Sequence, residues 1–338
     1  MARKTGWRWA PALAFALVVV TALAAGAARA ADQSVTLILN YIPTADHSPY
    51  FFAKAQGWYK AAGIDLTIEV GKGSAFAAQT VGAGAAQFGI ADLPTMFVAR
   101  GKGADLVAIM NVYANSPQGF YWLQSSGIKG PQDFPGHSIG NPPGDAARVM
   151  WPAFAKDAHI AADSVHFVNV SPAAKMAALR SHQVDIITDF YNEHDLKVRE
   201  FGADLGFLAW RSVGLNLYGN SVITSADYLK GHPDIARKFV QISQRAFAAC
   251  VADAAPCLDA LFASASGLDR RVQEDQWRRI KELMASPEGE ADALGWFNLS
   301  RVAADYQVVQ ANIGFDQPFD PKEAVTNELL DTSIKLKE

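Results

Sequence analysis

Two segments of this chain share one arrangement of residues, and this repetition constrains the fold more than any other feature. Residues 74–92 read SAFAAQTVGAGAAQFGIAD, and residues 171–189 read SPAAKMAALRSHQVDIITD. Each segment starts at a Ser placed as a helix N-cap and ends 18 positions later at an Asp that follows an apolar strand. Because an apolar strand also precedes each Ser, we favour a duplicated unit over chance similarity in an alanine-rich chain.

The residues around each segment extend the repetition to a strand–helix–strand–helix–strand unit. The first unit has predicted strands at 35–40, 64–70 and 88–91 and helices at 49–60 and 74–83. The second unit has predicted strands at 138–140, 165–170 and 185–188 and helices at 146–157 and 172–180. Short apolar strands that alternate with helices are typical of a parallel sheet covered by helices.

The predicted fold class is α/β with two lobes, each a mainly parallel sheet flanked by helices. We assign residues 31–120 and 215–338 to lobe I and residues 121–214 to lobe II. Open parallel sheets bind ligands beyond the carboxyl ends of their strands, so two facing lobes create a shared ligand cleft. Functional side chains are therefore expected in the loops that follow the strands.

The N-terminus has the order of a secretory signal peptide. Arg3, Lys4 and Arg8 precede an apolar run over residues 10–25, and a small-residue site ends at Ala30. We predict that residues 1–30 are a signal peptide cleaved near Ala30 and that the mature protein is periplasmic. A retained membrane anchor is the alternative, although the apolar run is shorter than the ~20 residues of a usual span.

Charge and motif content exclude several classes of function. The net charge of −4 and the pI near 6.0 give no footprint for nucleic acid or for an anionic membrane. The chain lacks the GxSxG, GxxxxGK[ST] and HExxH motifs, and its seven His are scattered. We therefore expect a small-molecule partner and no catalytic residues, metal site or cofactor.

The two cysteines of the chain, Cys250 and Cys257, lie in the sequence CVADAAPC. A continuous helix would hold them two turns apart, beyond bridging distance, but Pro256 makes such a helix unfavourable. An exported protein meets an oxidising compartment, which permits a local disulfide. Two unpaired, buried cysteines remain the alternative.

Polar and aromatic residues follow several of the predicted strands and are our candidate ligand-binding residues. The loop after the first strand also presents Thr44 and Asp46, and the last such loop reads TDFYNEHD. For His194, Asp195 and Lys197 in that last loop, we expect solvated side chains. The candidate ligand-binding residues are Asn40, Tyr41, His47, Ser74, Asp92, Asp189, Tyr191, Asn192 and Glu193.

Four stretches of the chain resemble one family as an ordered set. They read LNYIPTADHSPYFFAKAQGWYKAAGIDLTIE, AAQFGIADLPTMFVARGKG, VDIITDFYNEHD and FDPKEAVTNELL. The chain is thereby similar to the periplasmic substrate-binding proteins of the sulfonate-binding and thiamine-pyrimidine (NMT1-like) family, which serve ABC importers. The resemblance implies the type II periplasmic-binding-protein fold. It also implies a monomeric receptor that delivers its ligand to a membrane permease and, through it, to ATPase subunits.

Within that family, Pro43, His47 and the run 191–193 are most similar to the branch that binds thiamine-pyrimidine precursors. The alternatives are a binder of alkanesulfonate, taurine or nitrate, and an enzyme like the thiamine-pyrimidine synthases. A small anion would favour several cations, whereas the loops that we identify offer only Arg148. The synthases carry Lys and His at positions that correspond, by resemblance, to Ala91 and Thr95 of this chain, so the resemblance implies a binding protein.

We expect the mature protein to begin close to residue 31, because the basic, apolar and small-residue regions of the N-terminus occur in the order that signal peptidase recognises. Intact-mass analysis of the exported protein checks this expectation. A mass that still includes Met1 would contradict it.

Overall fold

The computed structural model describes residues 1–4, 6, 32–289 and 291–336. The predicted signal peptide, residues 1–30, lies almost entirely outside these described residues, so its cleavage stays a prediction. From Asp32 onward the chain forms one compact unit, which contains both lobes. Among the described residues, no single helix has the length and apolar character to cross a membrane, and one helix pair, bent by 117°, meets that criterion only as a pair.

Ten strands in the described part of the chain form two five-stranded sheets. The strands are β1 (Gln33–Ile38), β2 (Ile64–Glu69), β3 (Phe88–Asp92), β4 (Leu106–Asn111), β5 (Gln118–Leu123), β6 (Ser138–Asn141), β7 (His166–Asn169), β8 (Ile186–Phe190), β9 (Leu205–Ala209) and β10 (Asn220–Ser225). Strands β3, β4 and β5 are buried along their whole length, which fits sheets covered by helices on both faces, whereas the edge strands β2 and β7 contain exposed residues.

The two sheets have the same topology, which supports the duplicated unit seen in the sequence. Their strand orders are β2-β1-β3-β10-β4 in lobe I and β7-β6-β8-β5-β9 in lobe II. In lobe I, β10 runs antiparallel to β3 and β4, and in lobe II, β5 runs antiparallel to β8 and β9. The other four strands of each sheet run in one direction, so the predicted mainly parallel α/β fold is confirmed.

The chain crosses between the lobes twice, after β4 and after β9. The first crossing, residues 112–117, leads into β5, so the predicted lobe limit at residue 120 falls inside a strand of lobe II. The second crossing, residues 210–219, contains the other predicted limit. The crossings are tied to each other, because Asn216 Nδ2 donates to Asn115 Oδ1 at 2.9 Å and Ser116 N donates to Asn216 Oδ1 at 2.9 Å.

Helices pack against both sheets and bury their apolar faces there. They are α1 (Ser48–Ala55), α2 (Trp58–Ala61), α3 (Ser74–Gly82), α4 (Leu93–Gly101), α5 (Ala146–Val149), α6 (Trp151–Asp157), α7 (Lys175–Arg180), α8 (His194–Phe201), α9 (Ala226–Gly231), α10 (Pro233–Ala252), α11 (Ala255–Ser264), α12 (Arg270–Met284) and α13 (Leu299–Asn312).

Three details differ from the sequence-based expectations. The predicted helix 49–60 is divided into α1 and α2 by Gly57, whose φ of +69° is left-handed. The predicted helix 146–157 is divided at Met150, ahead of Pro152. Ser74 does not cap α3, because it is itself the first helical residue and its hydroxyl accepts a hydrogen bond from Asp92 N at 3.1 Å.

The predicted disulfide between Cys250 and Cys257 is present, so the alternative of two free thiols is wrong. Helix α10 ends at Ala252 and α11 begins at Ala255, and the bend between them brings the two Cα atoms to 5.8 Å. Both cysteines are buried in the core of lobe I. The disulfide therefore secures the corner between two core helices.

Replacing both Cys250 and Cys257 by Ala should lower the free energy of unfolding by about 2 to 3 kcal/mol, because the disulfide closes a short loop. Urea unfolding of the variant beside the wild-type protein measures the difference. Detection of two thiols in unfolded, unreduced wild-type protein would contradict the disulfide itself.

Candidate functional site

A cavity lies between the lobes, beyond the carboxyl ends of several strands. Its volume is about 30 Å³, which is enough to hold a water molecule. An adjoining cavity of about 260 Å³ shares five of its lining residues, so the two spaces form one cleft. The smaller cavity is lined by Asn40, Tyr41, Thr44, Asp46, Gly73, Ser74, Asp145, Ala146, Lys175, Asp189, Phe190, Asn192 and Glu193.

Lobe I contributes a buried network of polar side chains from the loop after β1. Asn40 Nδ2 donates to Asn220 Oδ1 at 3.0 Å, and Asn220 Nδ2 donates to Asp46 Oδ2 at 3.3 Å. The second oxygen of Asp46 accepts from the Thr44 hydroxyl at 2.6 Å. Every bond in this network holds Asn40 or Asp46 in place at the cavity wall, so this wall is preorganised.

His47 supports that wall from behind. Its Nδ1 accepts from Thr44 N at 3.2 Å, which leaves the proton on Nε2 to donate to Asn40 Oδ1 at 3.0 Å. Burial lowers the pKa of His47, although Asp46 opposes the shift. The ring is therefore neutral, and His47, which we expected to contact the ligand, lies outside the cavity lining and supports Asn40 instead.

Lobe II contributes a chain of alternating buried charges. Lys175 Nζ lies 2.9 Å from Asp145 Oδ2 and 4.0 Å from Asp189 Oδ1. Lys197 Nζ lies 2.7 Å from Asp189 Oδ2 and 3.6 Å from Glu193 Oε2. The two Lys side chains are 2% and 0% exposed, so the expectation that Lys197 is solvated was wrong. Lys197 is buried because two carboxylates on the inner side of lobe II neutralise it.

The charge chain shifts the protonation of its carboxylates in opposite directions. Burial alone would raise the pKa of Asp189, but Lys197 and Lys175 together lower it below its ordinary value. Burial, with a further contribution from the negative charge of Asp189, raises the pKa of Glu193 to about 7. Glu193 also accepts a hydrogen bond from Gln276 Nε2 at 3.1 Å. Glu193 can therefore gain or lose a proton near neutral pH.

Two further lining groups have capacity for a ligand. Asn192 is 2% exposed, and its Oδ1 has no hydrogen-bond partner among the described residues. Tyr41 presents a ring whose centroid lies 5.4 Å from Lys175 Nζ, while its hydroxyl donates across the cleft to Pro172 O at 3.0 Å. The cleft thus offers an unpaired acceptor beside an aromatic face.

Six of the predicted ligand-binding residues line the cavity, namely Asn40, Tyr41, Ser74, Asp189, Asn192 and Glu193. In addition to His47, two other predicted residues do not line this cavity. Asp92 is buried behind Ser74, where its Oδ2 accepts from Gln118 Nε2 and burial raises its pKa to about 7. Tyr191 lies between the guanidinium groups of Arg211 and Arg279, at 4.2 and 4.9 Å from its ring centroid.

Lys175 is the main lining residue that sequence reasoning missed. In the duplicated unit it occupies the position of Ala78, since both residues come four positions after the initial Ser. Ala78 is fully buried, so a Lys at the equivalent position was a signal of a buried charge. Arg148, the only cation that we had identified, instead donates to Asn169 at an exposed position. Within the described residues, no cluster of His, Cys, Asp and Glu could hold a metal ion.

A sequence model of one family, described as NMT1/THI5 like, matches residues 44–255, which is more than half of the 338-residue chain. The match includes the end of the loop after β1, from Thr44 onward, together with the charge chain of lobe II and both crossings between the lobes. This result confirms the family resemblance inferred from the sequence.

The names of three relatives indicate two different ligands and one enzymatic activity. The riboflavin-binding protein RibY of Chloroflexus aurantiacus is 24% identical over 241 residues, which is 69% of this chain and 67% of that protein. The formylaminopyrimidine-binding protein of Halalkalibacterium halodurans is 20% identical over 273 residues, which is 78% of this chain and 82% of that protein. A 4-amino-5-hydroxymethyl-2-methylpyrimidine phosphate synthase of Legionella pneumophila is 31% identical over 106 residues, but the match covers only 34% of the synthase and 31% of this chain.

Solved structures confirm the fold. A protein of Bordetella bronchiseptica RB50 superposes with a TM-score of 0.75 and 21% identity over 88% of this chain and 95% of its own. The alkanesulfonate-binding protein SsuA of Xanthomonas axonopodis pv. citri, solved with MOPS, gives a TM-score of 0.67 and 15% identity over 88% of this chain and 99% of SsuA. At these identities the likeness establishes the periplasmic-binding-protein fold and not the ligand.

Glu193 should make the protein less stable as the pH rises. Its pKa is raised from 4.5 to about 7 in the folded state, so the folded protein binds the proton more tightly than the unfolded chain. The stabilisation is complete below pH 4.5 and is lost as the pH rises through 7. By linkage it amounts to at most about 3 kcal/mol.

Urea unfolding of the wild-type protein and Glu193→Gln at pH 4.5, 6 and 8 isolates this contribution, because the variant cannot titrate at that position. The free energy of unfolding of the wild-type protein, relative to the variant, should fall with rising pH. A constant difference would show that folding does not shift the pKa of Glu193, and a difference that grows with pH would show that folding lowers it; either result contradicts the expectation.

Proposed function

The chain belongs to the NMT1/THI5-like family, and we propose that it is a solute-binding protein of an ABC importer, which closes its two lobes over a small nitrogen heterocycle. The observation that carries this proposal is the cleft between the lobes, where Asn192 Oδ1 is buried without a hydrogen-bond partner in the part of the chain that the structure describes, and where the pKa of Glu193 is raised to about 7. Both groups accept hydrogen bonds, so the cleft favours a ligand that carries N–H donors.

The ligand class follows from the shapes and charges of the lining groups. A flat ring gains from stacking on the face of Tyr41. Amino or ring N–H groups of that ring would donate to Asn192 and Glu193, while Lys175 would donate to a ring nitrogen or a formyl oxygen. We therefore propose a thiamine-pyrimidine precursor, and the name of the formylaminopyrimidine-binding relative supports this class.

An alkanesulfonate, taurine or nitrate fits the charges of the cleft less well. The cavity lining contains four carboxyl groups and one cation, Lys175. The nearby Lys197 is 0% exposed and its charge is neutralised by Asp189 and Glu193. An anion would enter a region of excess negative charge without an Arg to bind it in a bidentate manner. The sulfonate-binding structural neighbours support the fold of this chain and leave the ligand open.

Riboflavin is a second candidate ligand, because the riboflavin-binding relative matches more than two thirds of this chain. Its fused rings are also flat and could stack on an aromatic side chain. The two adjoining cavities, of about 30 and 260 Å³, are each smaller than the roughly 300 to 1,000 Å³ that is usual for ligand sites. Riboflavin would require a wider separation of the lobes than a single pyrimidine ring.

A synthase-like enzyme is the alternative from another class. The positions that resemble the catalytic Lys and His of the synthases hold Ala91 and Thr95, which are 0% and 1% exposed. The match to the Legionella synthase covers only 34% of that enzyme. We therefore propose binding without chemical turnover, with export to the periplasm, a monomeric receptor, and a membrane permease with its ATPase subunits as partners.

Calorimetry with 4-amino-5-hydroxymethyl-2-methylpyrimidine and its formylamino precursor tests the proposal, beside riboflavin, taurine, an aliphatic sulfonate and nitrate. We expect a pyrimidine to bind. Asn192→Ala and Glu193→Ala should each weaken binding by about 1 to 3 kcal/mol, because a ligand donor loses its buried acceptor. Tyr41→Ala should cost a similar amount through lost stacking and packing.

Glu200→Ala is the matched control, because Glu200 pairs with Arg180 at the surface and lies outside the cavity. Removal of the Asp189 carboxylate would leave Lys175 and Lys197 without their shared partner, so its effect on affinity would not report on a ligand contact alone. Binding of the sulfonates alone, or unchanged affinity in both the Asn192 and the Glu193 variants, would contradict the pyrimidine assignment.

A further inference from the structure

Helix α12 spans the boundary between the lobes. One face carries Trp277, Ile280 and Leu283, which are buried in the core of lobe I together with residues of β1 and α10. The helical period places Asp275 and Arg279 on another face, where they contact lobe II. The helix therefore belongs to lobe I through packing and reaches lobe II through charge.

Two ion pairs join this face of α12 to helix α8 of lobe II. The guanidinium group of Arg279 donates from Nε to Asp195 Oδ2 at 2.9 Å and from Nη2 to Asp195 Oδ1 at 3.1 Å. This bidentate geometry is the strongest form of such a pair. In the second pair, Arg199 of α8 donates to Asp275 of α12. The pairs have opposite polarity, so each helix contributes one cation and one anion.

Tyr191 is part of the same contact. Its hydroxyl accepts from Arg279 Nη1, and its ring lies under the same guanidinium group. This position explains why an aromatic residue predicted to stack on a ligand is outside the cavity. Tyr191 orients the Arg279 side chain toward Asp195.

A third contact of α12 with lobe II lies on the side of the helix that faces the cavity. Gln276 is 2% exposed, its Oε1 accepts from Ala45 N of lobe I at 3.3 Å, and its Nε2 donates to Glu193 of lobe II at 3.1 Å. Gln276 thus links the loop after β1 to Glu193 by neutral and charge-assisted hydrogen bonds.

We propose that α12 is an electrostatic latch, in which the Arg279–Asp195 and Arg199–Asp275 ion pairs hold the lobes together and set ligand affinity without contacting the ligand. None of these four residues lines either cleft cavity. Apparent affinity scales with the fraction of the protein in the binding-competent form, so a weaker latch raises the apparent Kd. This consequence for affinity rests on the proposed function, whereas closure itself does not.

The latch predicts a specific dependence on salt. Asp195 and Arg279 are 25% and 26% exposed, so salt screens their attraction. The other contacts between the lobes include Tyr41 to Pro172 O and Ala75 N to Gly144 O, which are hydrogen bonds of neutral groups. Salt does not screen these neutral contacts. The charged groups of the cleft, such as Glu193 and Asp46, are the same in the wild-type protein and in Asp195→Asn, so a salt effect that is smaller in this variant reports on the ion pairs.

Small-angle X-ray scattering of the protein without added ligand, at 50 mM and 500 mM NaCl, tests the latch. The wild-type radius of gyration should increase with salt. Asp195→Asn should increase it already at 50 mM NaCl, because the closing equilibrium constant falls by roughly fivefold when a partly exposed charge pair is lost. Arg279→Asp should open the protein further, and Arg279→Asp/Asp195→Arg should restore the compact form.

Arg270→Gln is the matched control, since Arg270 is on the same helix but pairs with Asp259 of lobe I at 2.6 Å. It should leave the radius of gyration unchanged. The latch is overturned if Asp195→Asn and Arg279→Asp scatter like the wild-type protein at 50 mM NaCl, or if the charge swap fails to restore the compact form. Because no ligand is added, failure of the proposed ligand class would leave this result unaffected.

Discussion

The chain of buried charges in lobe II is the interaction on which the site depends. Moving an ammonium group out of water costs several kcal/mol unless paired carboxylates compensate for it. Lys175 and Lys197 meet that condition because Asp145, Asp189 and Glu193 alternate with them. These residues come from three separate segments of lobe II, at residues 145, 175 and 189–197, so their pairing also holds together the loops that form one wall of the cleft.

Lobe I builds its wall from the same strand order but with different chemistry. Its loop after β1 uses neutral side chains and the single carboxylate of Asp46, each held by at least one hydrogen bond. A hydrogen-bonded wall with one carboxylate therefore faces a wall of alternating charges, whose Glu193 can change protonation near neutral pH. Helix α12 spans the two lobes, and its ion pairs supply attraction that is independent of the contents of the cleft.

The sequence predicted the duplicated unit, the two lobes, the local disulfide and most of the lining loops, because these depend on patterns within short segments. It did not predict β4, β5 or β9, although β4 and β5 are fully buried apolar runs, since such runs lack the alternation that marks a half-exposed strand. The direction of the His47 side chain depends on Asn40. The direction of the Tyr191 side chain depends on Arg279, which is 88 positions further along the chain. Contacts of that range have no local signature.

The central claim is that the cleft binds a flat donor-bearing ring between Tyr41 and the acceptors of lobe II. A crystal structure of the protein with 4-amino-5-hydroxymethyl-2-methylpyrimidine tests it most directly. The ring should lie between the lobes and stack on Tyr41, with its amino group within hydrogen-bond distance of Asn192 Oδ1 or the Glu193 carboxylate. A ring bound outside the cleft, or one whose amino group contacts neither Asn192 nor Glu193, would contradict the account.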